Sequence, residues 1–266
     1  MGCFKKRLKK PARQWFFLVL AAFFLFDHLS AQAALLIWPT SLPIPAGEKA
    51  AALWLENRGT IPQVYQARIF SWSQTDGKDV LAEQEALIAS PPLMQVEPGK
   101  RQLIRLISLT PAEPGTEKNY RVIVDELPIK TGATPENTSS GVQFRMRYSI
   151  PIFVYGQGLS YPRQKVDETP SLTEAISFSS LGWRIVKNGQ STFLEVRNTG
   201  KTHVHLRNIG FTSAASPPKN EHAFTGYVLP GCYMQWPITS ATPTSRNRQL
   251  TAILNNQQLI VIHHAE

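Results

Sequence analysis

Few side chains in this sequence are placed for chemistry. His203 and His205 lie two apart on one face of an apparent strand and His263-His264 stand near the end, but no carboxylate or thiol follows at metal-closing spacing, so these histidines read as solvated or capped. Asp125 and Glu126 are adjacent, and neighbours on a strand point to opposite faces, which argues against a paired acid and base. The sequence contains no Gly-x-Ser-x-Gly elbow, no His-Glu-x-x-His and no glycine-rich phosphate loop. Cys232, between Gly231 and Tyr233, has no base beside it and reads as a packed thiol. The expectation is a protein that is not an enzyme and uses no metal or cofactor.

The strongest pattern is one of shape. Val142, Phe144, Met146, Tyr148, Ile150, Ile152 and Val154 recur at strict period two, so one face of a long strand is an apolar comb. The loop before it, Lys130 to Gly141, is rich in Gly, Pro, Asn, Thr and Ser. Tyr148 to Val154 read as a share of the home core. Val142 to Met146, beside the loop, read as apolar teeth able to complete the sheet of another protein through backbone hydrogen bonds and alternate side chains.

The elements around the comb are all short and alternating, punctuated by Pro, Gly, Asn-Gly and Asp-Gly, which is an all-β signature. Leu35 to Ile44 carries Pro39 and Pro43 and should be an edge strand. Strands are predicted at Ala51 to Glu56 with Leu53 and Leu55 inward, at Tyr65 to Trp72 running into Asp76-Gly77, on both sides of Glu97-Pro98-Gly99, and at Tyr120 to Leu127. After a linker from about Gly156 to Asp167, a hairpin is predicted around Asn188-Gly189, with further strands near His203 to Ile209, Thr225 to Leu229, Tyr233 to Ile238, Gln249 to Leu254 and Gln258 to His263. No internal repeat is evident, and two seven-stranded sandwiches fit the length.

The start reads as a leader. Lys5, Lys6, Arg7, Lys9, Lys10 and Arg13 precede the apolar run Trp15 to Phe26, and Ala31-Gln32-Ala33 suits signal peptidase. Cleavage after Ala33 gives an exported chain with no integral membrane segment, since no later run approaches the roughly 20 apolar residues of a span. It also removes Cys3 and lowers the net charge from +9 to +4, too little and too scattered for a nucleic-acid partner.

The stretches Ser90 to Leu106, Tyr120-Arg-Val-Ile-Val-Asp-Glu-Leu-Pro128 and Arg147-Tyr-Ser-Ile-Pro-Ile-Phe-Val154 resemble the first domain of PapD-like periplasmic pilus chaperones. Glu195 to Gly200 and Gly226 to Gly231 are similar to their second domain. The resemblance implies two immunoglobulin-like β-sandwich domains joined at an angle, bounded as signal peptide 1–33, N-terminal domain 34–156 and C-terminal domain 157–266. It further implies a periplasmic chaperone whose partners are pilus subunits (pilins) and an outer-membrane usher, with self-capping by a second copy in keeping with the family. The donor strand would be Val142, Phe144, Met146, Tyr148 and Ile150. The best-known members hold the subunit carboxylate with an Arg and a Lys, where this chain has Ser41 and Pro151. The Arg147 to Val154 stretch instead resembles the archaic, spore-coat-U-associated branch, and Arg121 and Arg147 are the candidate carboxylate anchors. The competing reading is an exported adhesin or carbohydrate-binding module docking ligand on Trp72, Trp183 or Trp236.

Overall fold

Pro39 and the Asp76-Gly77 turn end the strands before them. The computed structural model describes residues 35–128, 145–159, 176–212, 224–239, 249–255 and 258–265, and every regular element among them is a strand. The signal-peptide stretch, the Lys130 to Gly141 loop, Val142, Phe144 and most of the expected linker lie outside the described residues.

Ten strands build the first sandwich: β1 (Leu35–Trp38), β2 (Leu42–Ile44), β3 (Ala50–Asn57), β4 (Gln63–Thr75), β5 (Lys78–Ala82), β6 (Leu87–Ser90), β7 (Leu93–Val96), β8 (Arg101–Ser108), β9 (Glu117–Leu127) and β10 (Arg147–Tyr155). One sheet runs β1-β3-β8-β6 and the facing one β2-β10-β9-β4-β5, with β7 also paired to β4. Period-two alternation sends Leu53, Leu55, Ile104, Leu106, Val122, Val124 and Ile152 into the space between them, where all are buried. Each such side chain contributes about 1.5–3 kcal/mol.

The single edge strand expected over Leu35 to Ile44 is in fact two. Pro39 has no N–H to continue the ladder, and the chain leaves β3 there to join β10 in the opposite sheet as β2. The strands flanking Glu97-Pro98-Gly99 likewise separate: β7 pairs with β4, whereas β8 pairs with β3 and β6. Such crossings raise the count above the seven strands expected. The Asp76-Gly77 turn matches its sequence signal, both residues having positive φ (52° and 71°).

The second sandwich comprises β11 (Ile176–Asn188), β12 (Ser191–Asn198), β13 (Val204–Thr212), β14 (Phe224–Val228), β15 (Tyr233–Ile238), β16 (Gln249–Leu254) and β17 (Gln258–His264). They form one continuous sheet, β14-β13-β16-β17-β11-β12-β15. It curls until its ends meet, with the Phe224 and Trp236 rings 6.3 Å apart. The β11–β12 turn is shifted by one residue from the expected Asn188-Gly189: Asn188 pairs with Ser191, and Gly189 at φ 58° opens a Gly189-Gln190 loop.

Candidate functional site

Strand β10 is the last of the first sandwich, and part of one side is open. β9 pairs with it from Arg147 to Tyr155, but β2 reaches only Ile152 to Val154. Among the described residues, nothing pairs with that side from Arg147 to Pro151. The Glu126 N–H donates to the Met146 carbonyl at 3.1 Å. Because antiparallel pairs alternate, Met146, Tyr148 and Ile150 direct their N–H groups toward β9, while Arg147 and Ser149 direct theirs outward. Pro151 has no N–H, so the free donors end where β2 takes over.

The comb is graded along this strand. Met146 is 51% exposed, Tyr148 rests half-buried on the core, and Ile150 is 6% exposed. At position 150 only the backbone edge remains to offer. Burial, with the Glu126 charge nearby, pushes the Tyr148 hydroxyl up from its usual range.

The opposite face of the same sheet carries the two candidate anchors, in different states. Arg147 binds the Asp125 carboxylate, which also accepts from Arg68 Nη2 at 2.7 Å. Burial pushes the Asp125 carboxyl up, but hydrogen bonds from Arg147 and Arg68 outweigh it and hold it below the usual carboxylate range. Arg147 is therefore engaged at home. Arg121 lies directly across from Pro151, its guanidinium 3.8 Å from the Trp72 ring centre. Its polar partners are distant: Asp79 Oδ2 at 3.5 Å and Ser149 Oγ at 3.4 Å. Only 16% of its side chain is exposed, and burial lowers its pKa from the ordinary value. A carboxylate entering beside Pro151 meets a cation that is largely desolvated and loosely paired.

Arg121 sits at the elbow between the sandwiches. Trp72, Phe153, Tyr155 and Leu229 form a small buried cluster there, with Tyr227 and Cys232 against it. Glu117 accepts both the His203 backbone N–H at 3.0 Å and a contact from His203 Nδ1 at 2.9 Å, and the imidazole stacks on Phe153 at 3.3 Å. Gln74 Nε2 donates to the Tyr227 carbonyl and its Oε1 accepts the Leu229 N–H, each at 2.9 Å. The Gln235 N–H reaches the Gly77 carbonyl at 3.3 Å. His203 is thus buried in an interface, a correction to its reading as a solvated or capped residue. Its carboxylate partner lies 86 residues away, beyond the reach of local spacing. His205 stacks on Tyr227 at 4.2 Å, and burial, with Arg207, His203 and Arg121 around it, lowers its pKa to about 4.

Arg121 and Arg147 were named from the sequence, but the pairing of their strands β9 and β10 was not, and Gln74, Asp79 and Glu117 were missed, each of which acts across a long sequence separation. It also offered Trp72, Trp183 and Trp236 as a ligand platform. Trp72 and Trp183 are 3% and 9% exposed, and Trp236 packs against the second core, so this platform is absent.

Comparison with known proteins agrees with this architecture. Residues 34–160 match the family model of the pili and flagellar-assembly chaperone, PapD N-terminal domain. The chain is 29% identical over 136 residues to the chaperone protein FimB/FhaD of Bordetella pertussis, a match covering 49% of this chain and 54% of that protein, about half its length. It is also similar to a chain in the CsuC–CsuE chaperone–tip adhesion subunit pre-assembly complex from archaic chaperone-usher Csu pili of Acinetobacter baumannii. The TM-score is 0.68 at 29% identity, covering 88% of this chain and 100% of that one. The E. coli chaperone DraB shares the fold at TM-score 0.52 and 16% identity, covering 86% and 96%.

Proposed function

Since this chain belongs to the PapD-like family of pilus-assembly chaperones, we propose that it binds pilus subunits in the periplasm by lending them β10 as a missing strand, then delivers them to an outer-membrane usher. The observation that carries the reading is the side of β10 from Arg147 to Pro151, unpaired among the described residues, which adjoins the half-exposed Met146. An edge of this kind invites pairing with another chain, and an incomplete pilin sandwich supplies the complementary edge. The likeness to the archaic Csu complex supports placement in that branch. The basic, apolar leader over residues 1–33 supports export. The end of one set of sheets at Tyr155 and the start of another at Ile176 support domains over 34–156 and 157–266.

Within this reading Arg121 is the preferred anchor for the subunit's terminal carboxylate, because it is desolvated, faces the elbow and lies beside Pro151. Arg147 is the second candidate, reached by exchanging its Asp125 partner.

The test is co-expression of the mature chain with a small secreted pilin of the archaic type. A stoichiometric complex is expected, with Met146→Glu reducing recovery about tenfold, equivalent to ~1.4 kcal/mol. A complex indifferent to that charge contradicts the assignment of the strand.

A further inference from the structure

The contacts at Arg121 continue beyond its own guanidinium. Asp79, on edge strand β5, places Oδ2 3.5 Å from Arg121 Nη2, while its Oδ1 accepts from Gln74 Nε2 at 2.9 Å. That same Gln74 amide donates to the Tyr227 carbonyl across the elbow. Asp79 is 42% exposed, against 16% for Arg121, so the carboxylate can move into water more readily than the cation can. A separation of 3.5 Å makes this a charge contact, looser than the short charge-assisted bonds that Asp125 forms with Arg68 and Arg147.

We infer that Asp79 is the resident counter-ion of Arg121: a positioning residue that occupies the guanidinium in the free protein and yields it to the terminal carboxylate of a bound subunit. This rests on the proposed anchoring role of Arg121. Two carboxylates sharing one guanidinium repel each other, so the charge on Asp79 weakens capture and keeps the complex exchangeable. A chaperone that must give up its cargo needs such a weakening at the point of tightest electrostatic contact. Asp79 also ties the anchor to the elbow, since displacing it removes one of the acceptors that hold the Gln74 amide.

The experiment uses the full mature chain and a labelled alternating Val-Thr peptide, long enough to run along β10, with either a free C-terminal carboxylate or an amide. Binding is read by fluorescence anisotropy. Asp79→Asn keeps an acceptor for Gln74 and removes only the charge. It should tighten binding of the carboxylate peptide at least about threefold and leave the amide peptide unchanged. Arg121→Ala should erase the preference for carboxylate over amide. If Arg121→Ala erases that preference while Asp79→Asn leaves the affinity unchanged or weaker, the counter-ion role is wrong and the anchor stands. If the preference survives in Arg121→Ala, the anchor falls and the role of Asp79 falls with it.

Discussion

The Asn57 side chain is wholly buried, and its Nδ2 donates to the Ile61 and Val96 carbonyls at 2.8 Å each while its Oδ1 accepts the Gly59 N–H at 2.9 Å. Asn198 repeats the arrangement in the second sandwich, donating to the Thr202 and Val228 carbonyls and accepting from the Gly200 N–H. Replacing either with Ala leaves two carbonyls without their donor and one N–H without its acceptor; at roughly 1–3 kcal/mol per stranded carbonyl the loss is about 2–6 kcal/mol. Urea unfolding of Asn57→Ala and Asn198→Ala should show destabilisation of this size in each. His205 gives a pH dependence. Its folded pKa, about 4, lies below the ordinary 6.5, so the unfolded chain takes up the proton first. The stability this histidine contributes is complete above pH 6.5 and is lost as the pH falls from 6.5 toward about 4. Over that window the wild-type urea midpoint should fall more than that of His205→Gln. The tie made by Asp125 is lost at lower pH, beneath its ordinary 3.8. None of these roles was legible in the sequence: Asn57 carried no reading there, Asn198 stood only within the Glu195 to Gly200 stretch, and the surroundings of His205 come from Tyr227 and Arg121 on distant strands.

At the scale of the element, β10 shows what alternation can and cannot tell. Period two correctly turned Ile150, Ile152 and Val154 to one face, and burial confirms that face as the core. The opposite face, Phe153 and Tyr155, is buried as well, by the elbow, which no pattern within one strand can announce. Which edge stays open depends on where Pro39 sends the chain, and the crossing of β1 to β2 was not foreseen. The open edge leads to a sharp prediction at Ser149, whose N–H points away from β9. Ser149→Pro removes that donor and spares the β9 ladder, so thermal unfolding should shift by no more than the equivalent of about 1 kcal/mol, as suits proline on an edge. Pilin capture should weaken about tenfold, through loss of one of two outward donors and obstruction by the ring.

For the whole molecule, the elbow decides whether the two sandwiches behave as one body. Gln74, Glu117 and the Gly77 carbonyl each reach across it, and a Cβ at Gly77 would meet the Gln235 side chain at 2.7 Å. A double variant, Gln74→Ala with Glu117→Gln, should split a single calorimetric unfolding transition into two as the sandwiches uncouple; one unchanged transition would show that the apolar cluster alone holds the joint. Two-sandwich architecture was readable from strand spacing and turn chemistry. The joint was not, because its hydrogen-bonded partners are separated by at least 86 residues, from Glu117–His203 up to Gly77–Gln235. The central claim, that β10 pairs with a pilin edge and completes the pilin's sandwich, is tested most directly by amide hydrogen exchange, resolved residue by residue, on the free chaperone and on its pilin complex. The account predicts fast exchange at Arg147 and Ser149 when free and strong protection when bound, with Tyr148 and Ile150 protected in both states. Fast exchange at Arg147 and Ser149 in the complex would contradict it.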